Sequence, residues 1–294
     1  MPLGHKLLVV GADSFIGCAL AKGFQDKGRK VLGTSRREDN VNSQSLFLDL
    51  SKDESTWKFP DSIDTAVICA GISKIEICRK NPIGTFEINV RAIIQLVKRL
   101  LDKNIFVVYL SSSQVFDGNK ERQESHSLYR PLNEYGRQKA LAEEKILALS
   151  NQVSVLRLTK VLGRSNNIFV NWAKALRNKE EIFPFEDLLL APVPLKSVID
   201  ILEVIIQKRI KGVIQVSSDD EIFYAQAAYF GAKLLNCDKN LVHPVKSKDS
   251  GHYFEDVPLH ASLDTERLKK ELDIHIPSAK WTIEKVFLDP TALI

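Results

Sequence analysis

Short runs of Val, Ile and Leu recur from residue 6 to residue 216 without the polar alternation of a strand wetted on one face. They fall at Lys6–Val10 and at residues 30–33, 45–48, 65–70, 104–110, 152–158 and 213–216. Strands of this kind are covered on both faces. Between them lie amphipathic stretches long enough for crossover helices: residues 15–27, closed by Gly28; residues 82–101, with apolar Ile83, Phe86, Val90, Ile93, Ile94 and Val97; Glu134–Leu149; and residues 198–208. The pattern predicts an α/β fold, a Rossmann-type doubly wound parallel sheet. In such a sheet ligands lie beyond the carboxyl ends of the strands. Function is therefore expected just after Val10, Gly33, Leu48, Ala70, Leu110 and Leu158. Residues 161–191 and 219–294 are less regular and predict a smaller mixed α/β lobe built from C-terminal segments, with a strand and helix near 192–218 returning to the sheet.

Composition removes several classes. A net charge of +4, with 41 Lys plus Arg interleaved among 37 acids, gives no basic stripe for nucleic acid. No apolar stretch approaches the roughly 20 residues of a membrane span, and the N-terminus lacks a secretory pattern. None of the four cysteines forms a CxxC pair. Cys18 and Cys69 sit in apolar runs and read as small core residues, which suits a reducing, cytoplasmic setting. His5, His126, His243, His252, His260 and His275 show no ligand spacing, so no metal site is expected.

The first loop reads Gly11-Ala12-Asp13-Ser14-Phe15-Ile16-Gly17. It follows the first strand and opens the first helix, whose free N–H groups suit a pyrophosphate. Gly11 supplies the tight turn. Ser14 stands where the spacing calls for a middle glycine, and its side chain either crowds the phosphate or donates a hydrogen bond to it. After the second strand the chain reads Thr34-Ser35-Arg36-Arg37, with no acid for a ribose 2′-hydroxyl. A guanidinium pairs with a 2′-phosphate, so NADP(H) is favoured over NAD(H). Residues 1–160 are accordingly expected to bind the dinucleotide. Asp49 is read either as a partner of the adenine or as a turn carboxylate.

Tyr135 and Lys139 lie four residues apart and share one helix face. A phenol titrates at about 10, and a neighbouring ammonium lowers that value and fits the phenol for proton transfer. The spacing alone is cheap: 6 tyrosines and 41 Lys plus Arg give roughly one such pair by chance. The context strengthens it, because Ser111-Ser112-Ser113 falls at the carboxyl end of the fifth strand, where a hydroxyl can bond the same carbonyl as the tyrosine.

On these residues the chain resembles the extended short-chain dehydrogenases, and within them the dTDP-4-dehydrorhamnose reductases. The matching stretches are residues 11–17, Asp49-Leu50, Cys69-Ala70-Gly71, Asn89, residues 109–118 (YLSSSQVFDG), 131–139 (PLNEYGRQK), 155–163 (VLRLTKVLG) and 261–268 (ASLDTERL). The resemblance implies Ser112, Tyr135 and Lys139 as the catalytic set, with Tyr135 and Lys139 also touching the cofactor. It implies Asp49 and Leu50 beside the adenine, Cys69, Ala70 and Gly71 along the cofactor, a second lobe holding a nucleotide-activated sugar and, by analogy alone, a homodimer. The reductase pattern has Asp-Tyr at Ser113-Gln114 and Trp at Lys160, positions that face substrate, so these three are candidate substrate contacts. The reading is an NADP(H)-dependent reductase of a keto-sugar nucleotide. The alternatives are a sugar-nucleotide epimerase or dehydratase with tightly bound cofactor, and a non-catalytic subunit such as the regulatory beta subunit of methionine adenosyltransferase, which shares the fold.

Overall fold

The computed structural model describes residues 6–164, 167–249 and 258–293. His5 and His252 lie outside them. In chain order the elements are β1 (Lys6–Val10), α1 (Phe15–Asp26), β2 (Val31–Ser35), β3 (Ser45–Phe47), β4 (Ile63–Ile68), α2 (Ile75–Lys80), α3 (Pro82–Phe86), α4 (Ile93–Asp102), β5 (Phe106–Ser112), α5 (Glu134–Leu149) and β6 (Val153–Leu158). There follow β7 (Lys160–Leu162), α6 (Ile168–Arg177), β8 (Leu189–Leu190), β9 (Pro192–Pro194), α7 (Leu195–Lys208), β10 (Gly212–Val216), β11 (Ile222–Phe223), α8 (Tyr224–Leu234), α9 (Glu266–Leu272) and α10 (Ala279–Leu288).

Seven strands form one sheet in the order β3-β2-β1-β4-β5-β6-β10. The registers from β3 across to β5 are parallel. Winding runs outward from β1 to β3, then restarts on the other side of β1 at β4. That reversal is the switch point where doubly wound sheets bind ligands. The apolar runs that predict the strands are buried, with Leu8, Val9, Val10, Ala66, Val67, Val107 and Val108 at 0% exposure.

The chain divides into two units. The first comprises Met1–Val115, Tyr129–Arg157 and Ile201–Ile214. Its core joins β1, β4 and β5 to Val90, Ile93, Leu96, Val97 and Leu100 on one long helical segment and to Ala142 and Ile146 on α5. The sequence predicts that long segment as one α-helix over 82–101. The structure interrupts it between α3 and α4 with a π-helical turn, Glu87–Ala92. The extra residue of a π turn re-aims the side chains around it, and Asn89 on this turn is buried.

α1 buries Gly17, Leu20 and Phe24, a spacing of three and four. Cys18 follows Gly17 by about 100° around the helix and is exposed, so it is not the core residue its apolar surroundings suggest. Cys69, just past β4, is only half-buried, whereas Cys78 on α2 is the fully buried thiol.

The second unit comprises Phe116–Leu128, Leu158–Asp200 and Gln215–Ile294. It carries two small sheets, β7 with β9 and β8 with β11. Its core gathers Phe169, Trp172, Leu176, Ile283, Val286 and Phe287, with Phe169 stacked on Tyr224 at 5.6 Å. A polar run fastens its C-terminal part: Glu221 accepts from the backbone N–H groups of Ala261 and Ser262, Asp219 from the Thr265 hydroxyl, and Asp220 from the Ala279 N–H. Among the described residues no helix is long and apolar enough to cross a membrane.

Candidate active site

The carboxyl ends of five adjacent strands, β3, β2, β1, β4 and β5, carry most of the residues singled out in the sequence. Asp49 and Leu50 follow β3, Arg36 and Arg37 follow β2, Gly11 follows β1, Cys69 to Gly71 follow β4, and Ser112 ends β5. At the switch point Gly11 has φ +80°, and a Cβ there would lie 2.9 Å from the Ala70 backbone. The two loops therefore approach as closely as backbone allows. Ser14 adopts an ordinary extended conformation and caps α1, its hydroxyl accepting from the Gly17 N–H at 3.2 Å. The N–H groups of Phe15 and Ile16, in the first turn, have no intrahelical partner and favour an anion. This loop fits a pyrophosphate, and the serine is accommodated because it serves the helix.

At the end of β2, Ser35 is buried while Arg36 and Arg37 are exposed. The Ser35 hydroxyl donates to Asp13 Oδ2 at 3.2 Å and accepts from the Arg37 N–H at 3.0 Å. Asp13, on the first loop, is absent from the sequence-derived candidates. Asp49 Oδ1 accepts from both the N–H and the hydroxyl of Ser51, at 2.9 and 2.8 Å, so it closes a turn. Gly71 is followed by Ile72, whose N–H and carbonyl are both bonded to the Asn89 amide, at 2.7 and 2.9 Å. Asn89 also donates to Gln138 Oε1 at 2.8 Å, tying the loop after β4 to α5.

α5 brings the candidate catalytic residues together. Asn133 caps it, accepting from the Gly136 N–H at 2.9 Å and donating to Gln114 Oε1 at 2.7 Å. A Cβ on Gly136 would lie 2.0 Å from the Gln114 carbonyl oxygen. Only a bare backbone lets the first turn of α5 press against the segment after β5, and that contact sets Tyr135 against Ser112. Gln114 thus has a framing contact besides any role toward substrate. Ser112 accepts from the Gln114 N–H at 3.2 Å and is hydrogen-bonded to the Tyr135 phenol.

The electrostatics differ from the sequence expectation. Desolvation pushes the Tyr135 phenol up to about 12, and the Ser112 hydrogen bond only partly offsets this. The ammonium does not pull it down, because Lys139 Nζ is turned to the Tyr109 hydroxyl at 3.0 Å and the Leu110 carbonyl at 2.9 Å. It stands 6.0 Å from the centre of the Tyr135 ring. Burial lowers Lys139 to about 8, against the opposing pull of Glu143. Desolvation also pushes the Cys69 thiol up to about 12, which leaves it protonated and a poor nucleophile.

Glu143 extends the same helix face one further turn and is 0% exposed. Its Oε2 accepts from Arg157 Nε and Nη2, at 2.9 and 2.7 Å, and from the Tyr129 hydroxyl at 3.1 Å. Its Oε1 is buried without a hydrogen bond. Lys160 belongs to the second unit and opens β7, two positions beyond β6. By area Lys160 is exposed, yet the atoms around it desolvate its ammonium enough to hold it below the usual range. Ser113 begins the single turn Ser113–Val115 after β5. Among the described residues no group of His, Cys, Asp and Glu side chains is arranged to hold a metal.

Comparison with known proteins places this arrangement. The RmlD substrate binding domain family matches residues 5–290. The dTDP-4-dehydrorhamnose reductase of Aggregatibacter actinomycetemcomitans is 28% identical over 181 residues, which span 60% of this chain and 58% of that protein. Methionine adenosyltransferase 2 subunit beta of Bos taurus is 23% identical over 283 residues, spanning 90% of this chain and 82% of that protein. Among solved structures, the dTDP-4-dehydrorhamnose reductase of Bacillus anthracis in complex with NADP superimposes with a TM-score of 0.81 at 18% identity, covering 97% of this chain and 99% of that one. MoeE5 in complex with UDP-glucose and NAD gives 0.81 at 21% identity and covers 98% of each. The chain belongs to the RmlD substrate binding domain family and has the extended short-chain dehydrogenase fold.

Proposed function

We propose that the chain is an oxidoreductase that reduces a keto group on a nucleotide-activated sugar, using NADP(H) in preference to NAD(H). The observation that carries this reading is the meeting of Ser112, Tyr135 and Lys139 at the carboxyl end of β5 in a chain of this family. When bound, the dinucleotide supplies the hydride. Tyr135, kept protonated by burial, donates the proton to the carbonyl oxygen. Ser112 orients the phenol and bonds the same oxygen. An ammonium has three donors; Tyr109 and Leu110 fix two on Lys139, and the third would serve the cofactor.

Gly11, Ser14, Phe15, Ile16 and Gly17 would hold the pyrophosphate at the N-terminus of α1. Ser35, Arg36 and Arg37 would face the adenosine ribose, Asp49 and Leu50 the adenine, and Cys69, Ala70 and Gly71 the length of the cofactor. The second unit would bind the sugar nucleotide, and Lys160 on it is a candidate for an anionic group of the substrate; Ser113 and Gln114, beside Ser112 on the first unit, are candidate substrate contacts of their own. The named NADP, NAD and UDP-glucose complexes of the structural relatives support both ligand classes.

The test is NADPH consumption by the purified protein with dTDP- and UDP-linked 4-keto-sugars, expected to need the keto-sugar and to vanish in Tyr135→Phe. Product formed without added dinucleotide would point to an epimerase. The likeness to methionine adenosyltransferase 2 subunit beta supports a second reading, a dinucleotide-binding regulatory chain. Dinucleotide binding without turnover on any keto-sugar, together with a second chain that co-purifies, would favour it.

A further inference from the structure

β2 ends in Ser35, followed by Arg36 and Arg37, yet a carboxylate reaches that corner from the other side. Asp13 comes off the loop after β1 and is tethered by the Ser35 hydroxyl at 3.2 Å. Its Oδ2 lies 4.0 Å from Arg37 Nε, and the Asp13 and Arg37 side chains are 30% and 69% exposed. The same serine oxygen accepts from the Arg37 N–H, so one buried hydroxyl holds the acid and the base in register. The two charges ask opposite things of a ribose. A free 2′-hydroxyl can donate to the Asp13 carboxylate. A 2′-phosphate can pair with Arg37, but Asp13 repels it and competes with it for the guanidinium.

We propose that Asp13 is a specificity-determining residue that holds the preference between phosphorylated and unphosphorylated dinucleotides to a narrow margin, so that the chain accepts both. The inference rests on the dinucleotide reading above. Asp13→Asn isolates the charge, because the asparagine oxygen can still accept from Ser35 and the volume is unchanged. Removing one charge a few ångströms from a phosphate in open solvent changes affinity on the order of three- to tenfold, less in high salt.

The experiment is fluorescence titration of NADPH and NADH into the full chain and into Asp13→Asn, each at low and at high salt. The expected result is tighter NADPH binding in the variant by about three- to tenfold, NADH unchanged or weaker, and a smaller difference at high salt. An unchanged NADPH-to-NADH ratio, or an equal shift for both nucleotides, overturns the role of Asp13 while leaving dinucleotide binding intact. So does a wild-type preference above about a hundredfold for either nucleotide, nearly 3 kcal/mol. A wild-type chain that binds neither nucleotide overturns the dinucleotide reading as well.

Discussion

Along α5, Tyr135, Lys139 and Glu143 follow one another at single-turn spacing, with Lys139 and Glu143 buried; at the end of β2, Asp13 and Arg37 meet over Ser35 in open solvent. Both corners belong to the first unit and both oppose an acid to a base. On α5 each buried charge is held at hydrogen-bond distance by groups of other elements, Lys139 by Tyr109 and Leu110 and Glu143 by Arg157 and Tyr129, in a medium of low dielectric, so removing a partner strands the charge. At the β2 corner water screens the charges, and the same change costs little. On the proposed reading, the buried face would fix how a proton is handled, and the wet corner would be where nucleotide preference can drift without disturbing the fold.

The sharpest way to break this contrast is at the Tyr135 end of α5. Tyr135→Phe should lower kcat by about 10²–10⁴ if the phenol is the proton donor. Its melting temperature and NADPH affinity should stay near wild type, measured by thermal unfolding and titration. Undiminished turnover would move the proton donor elsewhere. At the other end of the face, Arg157→Met leaves the Glu143 carboxylate buried without its cation and should cost about 3–5 kcal/mol of stability in urea unfolding. Pairing it with Glu143→Leu should recover much of that loss, because two apolar groups need no partner. If the single variant unfolds like wild type, Glu143 has another source of compensation.

Lys139 provides a smaller effect that pH can read. It is a base whose value is lowered to about 8, so the ammonium is present below that pH and lost as pH rises through it. Tyr135, at about 12, stays protonated across the same range. The kcat/KM for reduction should therefore level off below about pH 8 and fall up to tenfold per pH unit above it. Lys139→Met should lower the plateau and remove the alkaline limb. A limb that survives in that variant belongs to a different group.

How much of this was legible beforehand follows the range of the interactions. The strands of the sheet could be read because burial on both faces writes itself into contiguous residues. The Tyr135 and Lys139 pairing is local to one helix and could be read as well. Asn133 carries a visible signal, a capping residue just ahead of a helix. The π turn at Asn89 could not be read, since the apolar spacing over residues 82–101 fits an ordinary helix equally well. Arg157 reads as the one charged residue in a largely apolar strand, and only the fold shows it bound to Glu143. The direction of the Tyr135 shift was missed because proximity in sequence says nothing of where Lys139 Nζ points or how dry the phenol is. Asp13 was missed for a related reason: the expected acid was sought at the end of β2, and the fold delivers one from the neighbouring strand.

Arg37→Ala carries the smallest expected effect on stability and bears most directly on the wet corner. Its ion pair with Asp13 spans 4.0 Å with the guanidinium 69% exposed, so its loss should change unfolding free energy by no more than about 0.5 kcal/mol. The Ser35 bridge survives, because Arg37 contributes its backbone N–H, which alanine keeps. NADPH affinity should nevertheless fall while NADH affinity holds, since the lost guanidinium would serve the 2′-phosphate alone. A stability loss comparable to that of Arg157→Met would mean that Arg37 is structural, and the two corners would then differ in depth but not in kind. A fall in affinity for both nucleotides would instead place Arg37 on a part of the cofactor they share, and the reading of the β2 corner as the site of nucleotide choice would fail at its basic residue.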